Sequence, residues 1–207
     1  MRTVIHSIVV VSGMLALSVG VASAEEKTAA QPAANSEQQA AMAALQKLGS
    51  PGEAHKALQP FVGTWTYTAA WWTSPDAEPQ AMTGLAVNSL IFGGRFLKQE
   101  IRGDAEGMPP FEGLGFTGYD TIRKEYASIW FDSMATGLMT GAGQFDAATQ
   151  TLTTQSDVSC PITGEAHRKS REAWKLVDPT HTIYESYAHT PEGKEFKSLE
   201  IHYTRAP

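Results

Sequence analysis

Cys160 is the only cysteine in this 207-residue sequence. Without a second thiol no internal disulfide can form, so the fold must rest on its core alone. The same scarcity removes every zinc site built from paired cysteines. Basic residues are also few: 16 Lys and Arg stand against 22 Asp and Glu, for a formal net charge of −6. No basic stripe is left to neutralise phosphates, which argues against a nucleic-acid partner, and no Lys/Arg cluster marks an anionic membrane surface. Beyond the N-terminal segment the histidines are His55, His167, His181, His189 and His202, and they form neither His-x-His nor His-Glu-x-x-His. His181 and His189 share strand parity but would lie about 25 Å apart at strand rise, too far for one ion. No metal site is therefore encoded locally, and only one assembled across strands stays open. There is no Gly-x-Ser-x-Gly, and Asp157-Val158-Ser159-Cys160 has no His at a helpful spacing, so no catalytic residue is assigned.

Long apolar runs are absent except at the N-terminus. There Arg2 supplies a positive n-region, Ile8 to Val21 form an apolar h-region, and Ala22-Ser23-Ala24 presents small residues at a cleavage site. A membrane-spanning anchor needs about 20 predominantly apolar residues, and this run is shorter, with Ser12, Gly13, Ser18 and Gly20 inside it. A signal peptide over 1–24, cleaved after Ala24, is expected, and with it a periplasmic or secreted protein carrying no membrane anchor. No cysteine follows the h-region to take a lipid.

Residues 25–35 have no apolar spacing and read as a flexible leader. Residues 36–60 read as a short helical segment. Ser36 caps a helix from about Glu37 to Leu48 with Met42, Leu45 and Leu48 in one stripe, Gly49-Ser50-Pro51-Gly52 stops it, and a second turn follows at 53–59.

From residue 61 to 207 the pattern changes to β-branched and aromatic runs broken by turn chemistry. Strands are predicted near 62–73, 82–92, 95–102, 111–119, 124–132, 137–145, 150–158, 167–177, 182–189 and 195–204. Asp178-Pro179 and Pro191-Glu192-Gly193 are among the breaks, and Ser159 to Gly164 reads as a turn holding an idle thiol. Short connections forbid parallel pairing, which needs crossovers of about a dozen residues or more. The expected fold class is all-β, a single antiparallel up-and-down barrel of about ten strands behind a short N-terminal helix. Closure removes the sheet edges, and glycines inside strands (Gly84, Gly113, Gly115, Gly118, Gly141, Gly143) permit the bending it needs. A two-sheet sandwich uses the same local pattern and is the alternative.

Gly63-Thr64-Trp65 opens the barrel and Tyr203-Thr204-Arg205 ends it. This pairing resembles lipocalin-like (calycin) barrels, in which the Arg covers the Trp ring where first and last strands meet. The resemblance implies a structural clamp of Gly63, Trp65 and Arg205. A longer resemblance runs from about Gly52 to Arg205. It is carried by Glu53-Ala54-His55-Lys56, Leu90-Ile91-Phe92-Gly93-Gly94-Arg95-Phe96-Leu97, the run Met108 to Asp120, Trp130-Phe131-Asp132-Ser133-Met134 and Gly193-Lys194-Glu195-Phe196-Lys197. These stretches are similar to a bacterial family known as domain of unknown function 1579, which brings no established activity; Ser133 stands where that family places Asn. The layout also resembles the nitrobindins, ten-stranded barrels that hold haem through a His on the last strand. His202 is on the last strand but opposite in parity to Leu199, Ile201, Tyr203 and Arg205, so no haem or other cofactor is predicted.

The aromatic residues are the most suggestive feature. Trp65, Tyr67 and Trp71 share one strand face, Tyr126, Trp130 and Asp132 share another, and Trp174 and Tyr187 add to them. Such residues either fill a small barrel or line an apolar pocket. As a pocket, the candidate ligand-binding residues are Tyr67, Trp71, Arg95, Tyr126, Trp130, Asp132, Arg171 and Tyr187, with the two Arg and the Asp orienting a small, mostly apolar ligand. An enzyme is the alternative, using strand carboxylates or histidines in the pocket. Glu100, Asp132, Glu172, Glu185 and Glu200 are its carboxylates, most of them expected to point outward. An envelope interaction module is a third reading, marked by exposed apolar surface on the outer wall or the N-terminal helix.

Overall fold

The computed structural model describes residues 31–160 and 164–207. The expected signal peptide and residues 25–30 of the leader lie outside the described residues. The chain divides into two compact units, Met1–Met42 and Ala43–Pro207. The described part of the first is helical, the beginning of α1 (Gln31–Leu48). The helix thus starts earlier than Ser36. Pro32 suits a first helical turn, and Ala33 and Ala34 are strong helix formers, so the leader composition does not stop it. No helix of the described residues is long and apolar enough to cross a membrane, which says nothing of strands.

The second unit holds a one-turn helix α2 (Glu53–Lys56), a 3-10 turn Gln59–Phe61, and the strands β1 (Gly63–Trp71), β2 (Gln80–Ile91), β3 (Phe96–Asp104), β4 (Phe111–Asp120), β5 (Glu125–Asp132), β6 (Met139–Asp146), β7 (Thr151–Val158), β8 (Arg168–Asp178), β9 (His181–His189) and β10 (Glu195–Arg205). Each strand pairs with its neighbours in sequence, and β1 pairs with β10 to close the barrel. The closing register sets Trp65 against Arg205 and Tyr67 against Tyr203. The sandwich is excluded, because no sheet edge remains between the first and last strands.

The two ends of the barrel differ. The connections 92–95, 121–124, 147–150 and 179–180 are tight, while 72–79, 105–110, 133–138, 159–167 and 190–194 are longer. An up-and-down order puts all the tight turns at the end where β1 begins. Local chemistry makes them: Asp120 Oδ1 accepts from the Ile122 and Arg123 amides and Asp146 Oδ1 from Ala148, while Lys124 and Gln150 take positive φ.

The tight end is plugged by the segment before β1. Leu58 and Phe61 are fully buried there, among Leu97, Tyr126, Leu152 and Trp174. Full burial of each is worth about 1.5–3 kcal/mol. Polar contacts set the depth of the plug. The Phe61 carbonyl accepts from Trp65 Nε1 (3.0 Å) and Asn88 Nδ2 (2.9 Å), and the Ala54 carbonyl accepts from the Tyr126 hydroxyl (2.6 Å).

Arg205 fastens the seam. Its guanidinium carbon lies 4.1 Å from the Trp65 ring centroid. Its nitrogens donate to the carbonyls of Val62 (2.7 Å), Pro60 (2.9 Å) and Pro179 (2.8 Å). Gly63 makes room for it: a Cβ at that position would stand 2.3 Å from Arg205 Nη1.

Candidate functional site

Above the plug the barrel is not filled. A cavity of about 460 Å³ runs from Leu97, Leu152 and Trp174 toward the end with the longer connections. That volume falls within the roughly 300–1,000 Å³ of small-molecule sites. Inward positions of the strands build its wall: Tyr67, Ala69 and Trp71 from β1, Ile101 from β3, Ser128 and Trp130 from β5, Leu199, Ile201 and Tyr203 from β10. Phe111, Met134 and Met139 join them nearer the longer connections. The alternation that leaves half of each strand facing inward is the reason one apolar face per strand suffices.

Trp130 is held flat against β4. A Cβ on Gly113 would stand 2.3 Å from its ring and one on Gly115 2.8 Å, so the glycines give the indole its bed. Its Nε1 donates to Asp132 Oδ2 at 2.8 Å, and Asp132 Oδ1 accepts from the Met134 amide at 2.9 Å. Asp132 therefore lines the cavity while orienting Trp130 and starting the β5–β6 connection.

Polar groups are few and mostly hydroxyls. Burial, with Asp104 nearby, pushes the Tyr67 phenol up to about 12. Tyr203 is raised by burial and by Tyr67, and Tyr184 is raised well above the usual range by burial and then by Glu172. All three phenols thus stay protonated and serve as neutral hydrogen-bonding groups at neutral pH.

Glu172 is the one deeply buried carboxyl group among the described residues of the lining. It is 3% exposed and its residue lines the cavity. Oε2 accepts from Thr154 Oγ1 (3.1 Å) and Ser156 Oγ (2.6 Å), and Oε1 from Ser170 Oγ (2.5 Å). Strand pairing places them together: Thr154 is opposite Glu172 and Ser156 opposite Ser170 in the β7–β8 ladder. The expectation that strand carboxylates mostly point outward thus fails at Glu172. The signal was legible, since Ser170 and Glu172 share parity with the inward Trp174. The hydrophilic character of Glu argued against it.

Of the eight ligand-site candidates, the structure brings Tyr67, Trp71, Trp130 and Asp132 to the cavity. The other four lie elsewhere. Tyr126 points inward but below the cavity, against the plug. Arg95 sits in the β2–β3 turn and donates to the Gly49 and Phe92 carbonyls. Arg171 and Tyr187 are on the outer wall, because Ser170, Glu172, Tyr184 and Ser186 take the inward positions of β8 and β9. There Arg171 binds Glu195 through two nitrogens (3.0 and 2.8 Å) and stacks 3.9 Å over the Tyr187 ring.

The remaining carboxylates and histidines mostly stay outside. His202 Nε2 meets Glu200 Oε1 at 2.7 Å on the outer face, and Lys197 joins Glu200 and Glu185 beside it. His55 is buried, not a surface side chain: its Nδ1 accepts from the Gly52 amide at 3.0 Å, and burial lowers its pKa. Among the described residues no histidine or cysteine lines the cavity, and none of His, Cys, Asp and Glu cluster as metal ligands. The lining therefore does not fit a histidine-ligated haem. Cys160 is buried and its sulfur accepts from Arg168 Nη1 at 3.2 Å, away from the cavity.

A closed, plugged, ten-stranded up-and-down β-barrel with an internal, mostly apolar cavity is the class of protein that the fold defines. Within it, residues 50–205 match the family described as "Protein of unknown function (DUF1579)", and the chain belongs to that family. Among solved structures, Rv2717c from M. tuberculosis is similar with 15% identity and a TM-score of 0.57, covering 76% of this chain and 100% of that one. This likeness extends to the fold. A de novo designed fluorescence-activating beta barrel is 13% identical over 72% of this chain and 97% of its own, with a TM-score of 0.41. No curated protein sequence matches the chain.

Proposed function

We propose that the chain is an exported barrel that binds a small, mostly apolar molecule in its interior. The observation that carries the reading is the cavity of about 460 Å³ with its aromatic and aliphatic wall. A barrel of this kind that served only as a scaffold would gain stability by filling that space, since buried apolar surface contributes about 25 cal/mol per Å². Export is supported by Arg2, the apolar stretch 8–21 and Ala22-Ser23-Ala24.

The enzyme reading asks for two titratable side chains meeting in the cavity. Among the described residues the Glu172 carboxylate instead meets three hydroxyls. Native mass spectrometry of protein purified from its own envelope fraction tests the binding reading. A bound mass is expected, and Ile101→Trp, which places an indole in the cavity, should expel it. Protein that carries no ligand and shows no saturable uptake of an apolar fluorophore would refute the proposal. N-terminal sequencing of the same sample should begin at Glu25, and an intact Met1 would refute export by cleavage.

A further inference from the structure

The cavity's polar groups are one-sided. No Lys, Arg or His lines it among the described residues, whereas two carboxylates do. Asp132 accepts from the Trp130 indole and the Met134 amide and is only half-buried, so water can screen its charge. Glu172 is different. A carboxylate offers about four acceptor positions, and the hydroxyls of Thr154, Ser156 and Ser170 fill three of them. No cation among the described residues pairs with it. A charge this far from water is ordinarily paired, because desolvation penalises it heavily.

The three hydroxyls do more than satisfy the carboxylate. They come from two adjacent strands and act on both oxygens, which fixes the group while leaving it without a countercharge. Tyr184, Tyr203 and Gln99 also line the cavity. They extend a neutral hydrogen-bonding surface from Glu172. The rest of the wall is mostly apolar, interrupted by Asp132 and by small hydroxyls such as Thr117 and Ser128. Such a site repels a carboxylate headgroup and leaves a donor-bearing cation as the complementary one.

Resting on the binding function proposed above, we infer that the barrel selects an apolar amine: a hydrocarbon body in the aromatic cavity with a protonated nitrogen at Glu172. Fatty acids of the same body are rejected, because their carboxylate would meet Glu172 without a cation between them.

The test compares decylamine, decanol and decanoate as competitors of an apolar fluorophore, at neutral pH and raised salt. Salt screens attraction between the amine and the acidic outer surface but little of a buried pair. A charge-assisted hydrogen bond predicts that decylamine binds about ten- to a hundred-fold more tightly than decanol, with decanoate weakest. Glu172→Gln should erase the preference for the amine over decanol. Decanoate binding as well as decylamine, or an unchanged preference in Glu172→Gln, overturns the inference while decanol binding keeps the cavity reading. Failure of all three ligands to compete overturns both. If Glu172→Gln does not fold, the wild-type order of the three ligands decides the matter alone.

Discussion

Arg205→Ala should be the most damaging single change at the barrel seam. The side chain makes a cation–π contact with Trp65 at 4.1 Å and three hydrogen bonds to the carbonyls of Pro60, Val62 and Pro179. The stacking contact is worth about 0.5–2 kcal/mol. Hydrogen bonds from a charged donor contribute about 1.5–3 kcal/mol each when fully buried, but this guanidinium is only partly buried, and water will reach some of the freed carbonyls. A net loss of about 3–4 kcal/mol follows, a large share of the roughly 5–15 kcal/mol typical of a domain. With a urea m-value of about 2 kcal/mol/M the midpoint should fall by about 1.5–2 M. Tryptophan fluorescence, summed over the five Trp residues, reads the barrel interior, and far-ultraviolet circular dichroism reads the sheet. Arg205→Lys is the sharper comparison. It keeps the charge, but one ammonium cannot reach three carbonyls in divergent directions while covering a ring. Lys at 205 should recover less than half of the loss. A lysine variant within about 0.5 kcal/mol of wild type would refute the reasoning, because charge alone would then account for the seam.

Two further outcomes follow from the geometry. Gly113→Ala places a methyl 2.3 Å from the Trp130 ring, so it should cost about 1–3 kcal/mol as an overpacking change. It should also shift tryptophan emission and weaken probe uptake, and a variant with wild-type emission and uptake would show that Trp130 does not shape the cavity. His55 has its pKa lowered by burial, so the unfolded chain binds more protons below its ordinary value of 6.5. Stability is therefore full above that pH and is lost as pH falls below it. Thermal melts should show this slope, and His55→Asn, which retains an acceptor for the Gly52 amide, should flatten it.

Strand number, alternation and antiparallel order were readable because each is a local property. Turn residues such as Asp120 and Asp146 act on amides two or three positions away, and β-branched and aromatic runs need only a pleated surface. Boundaries at the N-terminus were less readable: Pro32-Ala33-Ala34 can serve either a leader or a helix, and composition does not choose between them. The candidate site divided along the same line. Tyr67, Trp71 and Trp130 follow from parity on their own strands. Tyr126 shares parity with Trp130, yet its depth depends on the plug, so its hydroxyl meets Ala54 instead of a ligand. Tyr187 and Arg171 were placed by aromatic or polar character, and the inward set of β8 and β9 turned both outward.

By itself, then, the sequence determined an exported-type N-terminus as an expectation, the absence of an internal disulfide, and a chain of strands able to close. Periodicity, turn chemistry and cysteine count are one-dimensional, and they carry that much. Only the tertiary structure decided that the interior is partly empty. A void is the difference between the width of a closed barrel and the summed volume of side chains from ten strands and a plug. The structure alone likewise brought Thr154, Ser156 and Ser170 onto Glu172. Two of those hydroxyls lie on a different strand, and only ladder register brings them to one carboxylate.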